Sequence, residues 1–142
     1  MRMNKIVTTL AGVLMLAGTS ALAQDSGDAA AGEKVFKKCK SCHAVGDGAK
    51  NKSGPVLNDL IGRTAGSFES FSKFSKDLKA AGEAGLTWDA ASLDGWLTDP
   101  SKFLAATLDK SGAKSKMKAK VKKEKDRLNV IAYLAQFSAA AE

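Results

Sequence analysis

The sequence predicts an all-α domain of about five helices, on three observations. Apolar residues recur at helical spacing in several short stretches, strand-type alternation is absent over any useful length, and Gly- and Pro-dense stretches separate the periodic ones. Asp28 is placed to cap a first helix, in which Ala31, Val35 and Cys39 repeat at helical spacing with Gly32 and Phe36 beside them. Residues 44–66 hold Gly46, Gly48, Gly54, Pro55, Gly62 and Gly66, a density that marks a folded loop. Ser75 caps a short helix that stops at Gly82. Thr87 caps another, with Leu93, Trp96 and Leu97 on one face. Asp99-Pro100 reads as an N-cap followed by Pro at the first helical position, opening a short helix through about Ala106. The last helix runs from about Lys123 to Ala139, with Leu128, Ile131 and Ala135 in one line and Val130, Leu134 and Phe137 in its neighbour. Loops this long need something to pack on.

Composition narrows the function. The chain has 142 residues, the length of one ordinary domain, with 44% apolar and 26% charged residues, a globular balance. Aromatics are only 6%, thin for a core of this size. Two Cys and one His exclude a zinc finger or a disulfide scaffold, which need more ligands or more bridges. Any enzyme using a His-dependent nucleophile would have to use that single His.

The first 23 residues read as a secretory signal. Arg2 and Lys5 form a positive start, Ile6 to Ala17 is apolar and uncharged, and Ala21-Leu22-Ala23 is a small-residue cleavage site that leaves Gln24 first. The apolar run is shorter than the roughly 20 residues of a spanning helix, which favours cleavage over a membrane anchor. The expected mature domain is residues 24–142 with a net charge of +5. Export points to an oxidising bacterial periplasm and removes nucleic acid as a partner.

Every Cys and His falls within Cys39-Lys40-Ser41-Cys42-His43, the C-x-x-C-H attachment pattern of a c-type haem. Two Cys at this spacing at a helix end can each form a thioether to a haem vinyl group, and His43 is then carried to the iron. A thioredoxin-like C-x-x-C wants a β-α-β frame that is missing. A zinc site lacks further ligands, and a Cys39–Cys42 disulfide leaves the lone His without a role. A porphyrin would also supply the apolar bulk that the core lacks. Met117 is the one Met beyond the signal. It lies between lysines, with no apolar periodicity around it, which suits a sulfur delivered to iron better than a core filler. His43/Met117 ligation would leave the iron no open position and favour the ferrous state, the properties of a one-electron carrier rather than an enzyme.

The run Gly32-Glu33-Lys34-Val35-Phe36, then Cys39 to His43, Gly54-Pro55-Val56-Leu57, Gly62-Arg63-Thr64-Ala65-Gly66, Gly85-Leu86-Thr87-Trp88, Trp96-Leu97-Thr98-Asp99-Pro100, Lys116-Met117 and Ile131-Ala132-Tyr133-Leu134 resembles class I cytochrome c, over nearly all of residues 27–138. The long stretch from Pro100 to Met117 resembles the bacterial cytochrome c2 type. The resemblance implies a cytochrome c fold of about five helices and long loops around one haem c. It also implies that the Pro55 carbonyl accepts from His43, that Arg63 and Trp88 meet a buried propionate, and that Gly32 and Phe36 pack on Val130 and Tyr133. Three positions depart from the family pattern. Phe74 replaces a frequent Tyr, Trp96 stands where a Tyr is common near the Met sulfur, and Ala119 replaces a Phe that covers the haem edge.

Residues 110–127 carry nine Lys/Arg against two acids, or +7, and the rest of the mature chain is −2. Concentrated beside Met117, that charge makes the molecule a dipole and reads as a docking face for an acidic redox partner rather than a merely solvated surface. The expected function is a monomeric periplasmic carrier of single electrons, from a quinol–cytochrome c oxidoreductase to a terminal oxidase or photosynthetic reaction centre. Two alternatives differ in class. One is an open-iron haem sensor or peroxidase-like enzyme in which Met117 is not bound; the other is a basic lipid-binding protein stable without haem.

Overall fold

The computed structural model describes residues 26–139, and the expected signal over residues 1–23 lies outside them. Five helices follow in order: α1 (Ala29–Phe36), α2 (Lys76–Glu83), α3 (Ala90–Thr98), α4 (Pro100–Thr107) and α5 (Glu124–Ala135). Among the described residues the only β-type pairing is an isolated bridge between Thr64 and Thr87. The all-α expectation of about five helices holds.

Each start has a local cause. The Asp28 carboxylate accepts from the backbone N–H groups of Ala30 and Ala31, at 2.8 and 3.2 Å, and so satisfies donors that the first turn leaves free. The Ser75 hydroxyl does the same for Leu78 at α2. Asp99 ends α3 and begins α4, accepting from Lys102 N–H at 3.2 Å while Pro100 opens the first turn.

Three boundaries differ from the sequence reading. The cap of α3 is Asp89, not Thr87: Asp89 accepts from Ser92 N–H at 2.7 Å and the Ser92 hydroxyl accepts from Asp89 N–H at 2.9 Å, a reciprocal capping box. Thr87 is instead spent on the bridge to Thr64. Helix α5 ends at Ala135, and the apolar line continues to Phe137 because a turn brings that ring to 5.1 Å from the Tyr133 ring. Cys39 is not on α1. Single-turn bonds from Cys39 N–H to the Phe36 carbonyl and from His43 N–H to the Cys39 carbonyl (2.8 and 2.9 Å) wind the chain tightly past the helix end.

The first and last helices cross at a point only glycine allows. A Cβ on Gly32 would lie 1.9 Å from the Asn129 carbonyl oxygen and 2.8 Å from Tyr133 Cβ, so the two backbones touch there. Phe36, 1% exposed, meets the Tyr133 ring at 5.4 Å. Asn129 is buried and accepts the Asp28 N–H at 2.8 Å, which ties the start of α1 to α5. Helix α3 packs on α5 and on α4, and α2 packs on α4. Phe36, Leu60, Leu78, Trp88, Leu93, Trp96, Leu97, Leu104, Val130, Ile131 and Leu134 make one continuous core. No helix among the described residues is long and apolar enough to cross a membrane.

Candidate haem-binding cleft

A cleft of about 450 Å³ opens into this core. Its walls include Cys39, Cys42, His43, Pro55, Arg63, Trp88, Trp96 and Met117, with apolar side chains of α2, α3 and α5 behind them. Eight residues singled out in the sequence, spread over nearly 80 positions, thus border one space. A larger hollow of about 950 Å³ near Asn51, Asn58 and Phe68 is open surface and holds none of the sulfur or imidazole donors.

His43 is fixed by the loop that follows it. Its Nδ1 lies 2.7 Å from the Pro55 carbonyl, which can only accept, so Nδ1 carries the proton and Nε2 keeps a lone pair. Burial lowers the pKa of the ring, and the Pro55 carbonyl opposes that shift. The imidazole packs flat on backbone: a Cβ on Gly54 would sit 2.4 Å from His43 Cε1. Asn58 braces the loop, accepting from Gly46 N–H and donating to its carbonyl at 2.8 and 2.9 Å.

The two thiols differ. Cys39 is partly buried, and burial together with Cys42 raises its pKa. Cys42 is exposed, and hydrogen bonds from Ser53 and Ser41 lower its pKa. Both sulfurs are free, so both are available for a thioether.

Met117 reaches the cleft from the irregular segment between α4 and α5. Buried Ser115, which sequence reasoning missed, shapes the approach: its hydroxyl accepts Met117 N–H at 3.0 Å. The Trp96 indole donates to Met117 Sδ at 3.2 Å, and Trp96 stacks edge-on with Trp88 at 5.3 Å. Phe74 and Ala119, the other two departures from the family pattern, also line the cleft.

Arg63 and Trp88 border the cleft through a shared piece of backbone, since Trp88 N–H donates to the Arg63 carbonyl at 2.9 Å. The half-buried Arg63 guanidinium donates to the carbonyls of Val56 and Asn58 and lies 4.2 Å over the Phe68 ring. Burial lowers its pKa and Asp59 opposes that. Trp88 is 6% exposed and lines the cleft.

The basic segment is partly neutralised by acids from other elements. Lys110 pairs with Asp77 at 2.6 Å, Lys120 with Asp99 at 2.7 Å and Arg127 with Asp94 at 2.6 Å. Lys114, Lys116, Lys118, Lys122, Lys123 and Lys125 remain exposed, and Lys116 and Lys118 line the cleft on either side of Met117.

The donor set decides what the cleft suits. No group of three His, Cys, Asp or Glu that could hold a bare ion occurs among the described residues. One imidazole, one thioether and two thiols around an apolar slot suit a metal whose other donors come from a flat macrocycle. The fold and cleft are therefore those of a small helical protein suited to hold a flat, metal-bearing apolar group. The Cytochrome c family model matches residues 29–138, and the chain belongs to that family. It is 40% identical to cytochrome c2 of Cereibacter sphaeroides over 137 residues, covering 92% of this chain and 94% of that protein. It is 42% identical to cytochrome c-551 of Roseobacter denitrificans over 139 residues, covering 94% and 97%. The structure of cytochrome c2 from Rhodospirillum centenum superposes with a TM-score of 0.75 at 44% identity, covering 80% of this chain and all of that one. The chain is accordingly a c-type electron carrier and not an enzyme, of a family that binds haem c through cysteine.

Proposed function

We propose that this chain is an exported, monomeric one-electron carrier with one haem c, bonded through Cys39 and Cys42 and held at the iron by His43 and Met117. Haem c, when bound, supplies the one-electron ferric–ferrous couple. The chain's residues set its conditions. The Pro55 carbonyl fixes the His43 tautomer and raises the donor strength of Nε2. Trp96 orients Met117 Sδ and draws charge from it. Arg63 and Trp88 would offer donors to a propionate, although the guanidinium also serves two backbone carbonyls. The apolar walls exclude water, so little solvent reorganises when charge changes.

The observation that carries this reading is that one cleft gathers both thiols, an imidazole with Nε2 free and a thioether held by an indole donor. The test is carbon monoxide added to the reduced holoprotein. An unchanged spectrum is expected if His43 and Met117 both hold the iron, and a new carbonyl-type spectrum would point to an open-iron sensor or peroxidase-like protein.

The place of action follows from sequence and charge. Residues 1–23 act as a secretory signal that delivers residues 24–142 to the periplasm. The exposed lysines of residues 110–127 form the docking face for acidic membrane redox complexes. The donor is a quinol–cytochrome c oxidoreductase, and the acceptor is a terminal oxidase or a photosynthetic reaction centre. The cytochrome c2 relatives support that assignment.

A further inference from the structure

Arg127 stands apart from the rest of the basic segment: the eight lysines are exposed, and Arg127 is buried at 9% exposure. A buried charge is costly unless paired and fully hydrogen-bonded. Here Nε donates to Asp94 Oδ1 of α3 at 2.6 Å, and Nη1 donates to the carbonyls of Val121 and Lys122, both at 3.1 Å. Val121 N–H in turn donates to the Leu97 carbonyl of α3 at 2.8 Å. From Lys118 to Lys122, among the described residues, these three backbone groups are the only ones with a protein partner. Apart from the exposed Lys120–Asp99 pair, the arm that follows Met117 is therefore held at Val121 and Lys122, by the Leu97 carbonyl of α3 and by an Arg of α5 braced on an Asp of α3. The same α3 carries Trp96, the donor to Met117 Sδ.

We propose that Arg127, together with Asp94, is a positioning residue that keeps the Met117 sulfur in place by clamping the arm behind it to α3. The inference rests on the His43/Met117 ligation proposed above. A segment with so few hydrogen bonds opens locally well before the domain unfolds. Only the opened form offers the iron to a competing ligand, so the competitor's apparent affinity scales with the open fraction. Loosening the clamp raises that fraction.

The experiment titrates the oxidised holoprotein with imidazole and follows the sulfur-to-iron charge-transfer absorption. Asp94 is part-exposed, so Asp94→Asn should fold even where a larger change at Arg127 would not. Arg127→Lys keeps the charge but lacks the fork that reaches carboxylate and carbonyls together. Both should bind imidazole about tenfold more tightly than the parent, equivalent to about 1.4 kcal/mol of easier opening. Ser92→Ala, which breaks the α3 capping box without touching the clamp, should leave the affinity within about twofold of the parent. Affinities in Asp94→Asn and Arg127→Lys that move no more than in Ser92→Ala would overturn the clamp and leave the ligation standing. A parent protein without the charge-transfer absorption would overturn the ligation itself, and the clamp with it.

Discussion

At the residue scale, chemistry here depends on which atom donates to which. Pro55 receives the His43 proton, Gly54 leaves the imidazole a flat bed, and the Trp96 indole points its N–H at Met117 Sδ. An indole donates but never accepts, so this bond withdraws electron density from the sulfur. A poorer sulfur donor stabilises ferric iron less than ferrous iron. Trp96→Phe should therefore lower the reduction potential. The shift is bounded by about 60 mV, the one-electron equivalent of a single hydrogen bond of about 1.4 kcal/mol. A redox titration checks it, and a rise in potential would reverse the assigned polarity of the bond. Much of this scale was legible in the sequence, because the Cys39–His43 pattern is local and Met117 has few rivals. Ser115, Asn129 and the Asp94–Arg127 pair were not legible. Two of these depend on partners 101 and 33 positions away, and Arg127 looked like one more member of a lysine-rich run.

At the scale of elements, the helices read well and their joints less so. Asp28, Ser75 and Asp99 cap where their chemistry places them, whereas at α3 Thr87 and Asp89 stand close together and Asp89 is the cap. The deciding signal was Ser92 three positions after Asp89, a capping box with Ser in place of the usual Glu or Gln. The long connection from α4 to α5 has no regular structure and depends on aspartates from its neighbours. Asp77 of α2 accepts from Lys110 Nζ and Lys114 N–H, and Asp99 accepts from Lys120 Nζ and Lys102 N–H. The lysine partner is the largest cause of the lowered pKa in each case, followed by the backbone N–H. A carboxylate held below its ordinary value adds stability that is complete above that value and is lost as pH falls through the lowered one. The double variant Asp77→Asn, Asp99→Asn should melt below the parent at neutral pH. The two melting curves should converge below about pH 4, as the parent loses its carboxylates. Asn still caps α4, so a loss of helix is not the cause. Melting temperatures against pH decide it, and a constant gap down to pH 2 would mean that the aspartates act through shape alone.

At the scale of the whole molecule, the fold is a set of short helices and long loops that share one core and leave one apolar-walled cleft in it. The crossing at Gly32 brings the first and last helices together, and residues of α1, α3 and α5 all line the cleft. A thin aromatic core was the one whole-molecule signal of this in the composition; the closeness of Gly32 to Asn129 required the backbone path. Charge also acts at this scale. With three basic groups paired to Asp77, Asp94 and Asp99, the unpaired charge of residues 110–127 sits on exposed lysines, of which Lys116 and Lys118 flank Met117 at the cleft. Electron delivery to an acidic membrane complex should slow steeply as salt shortens the Debye length from about 30 Å at 0.01 M to about 8 Å at 0.15 M. Stopped-flow rates against ionic strength test this, and a flat profile would leave the lysines a solvated surface. The central claim, that iron held between His43 and Met117 carries the electron, is tested most directly by redox titration of Met117→Ala beside the parent. Cys39, Cys42 and His43 should still hold the haem, the potential should fall substantially as the soft sulfur is lost, and the ferric spectrum should change to that of a water- or lysine-bound iron. A potential and ferric spectrum identical to the parent's would contradict ligation by Met117.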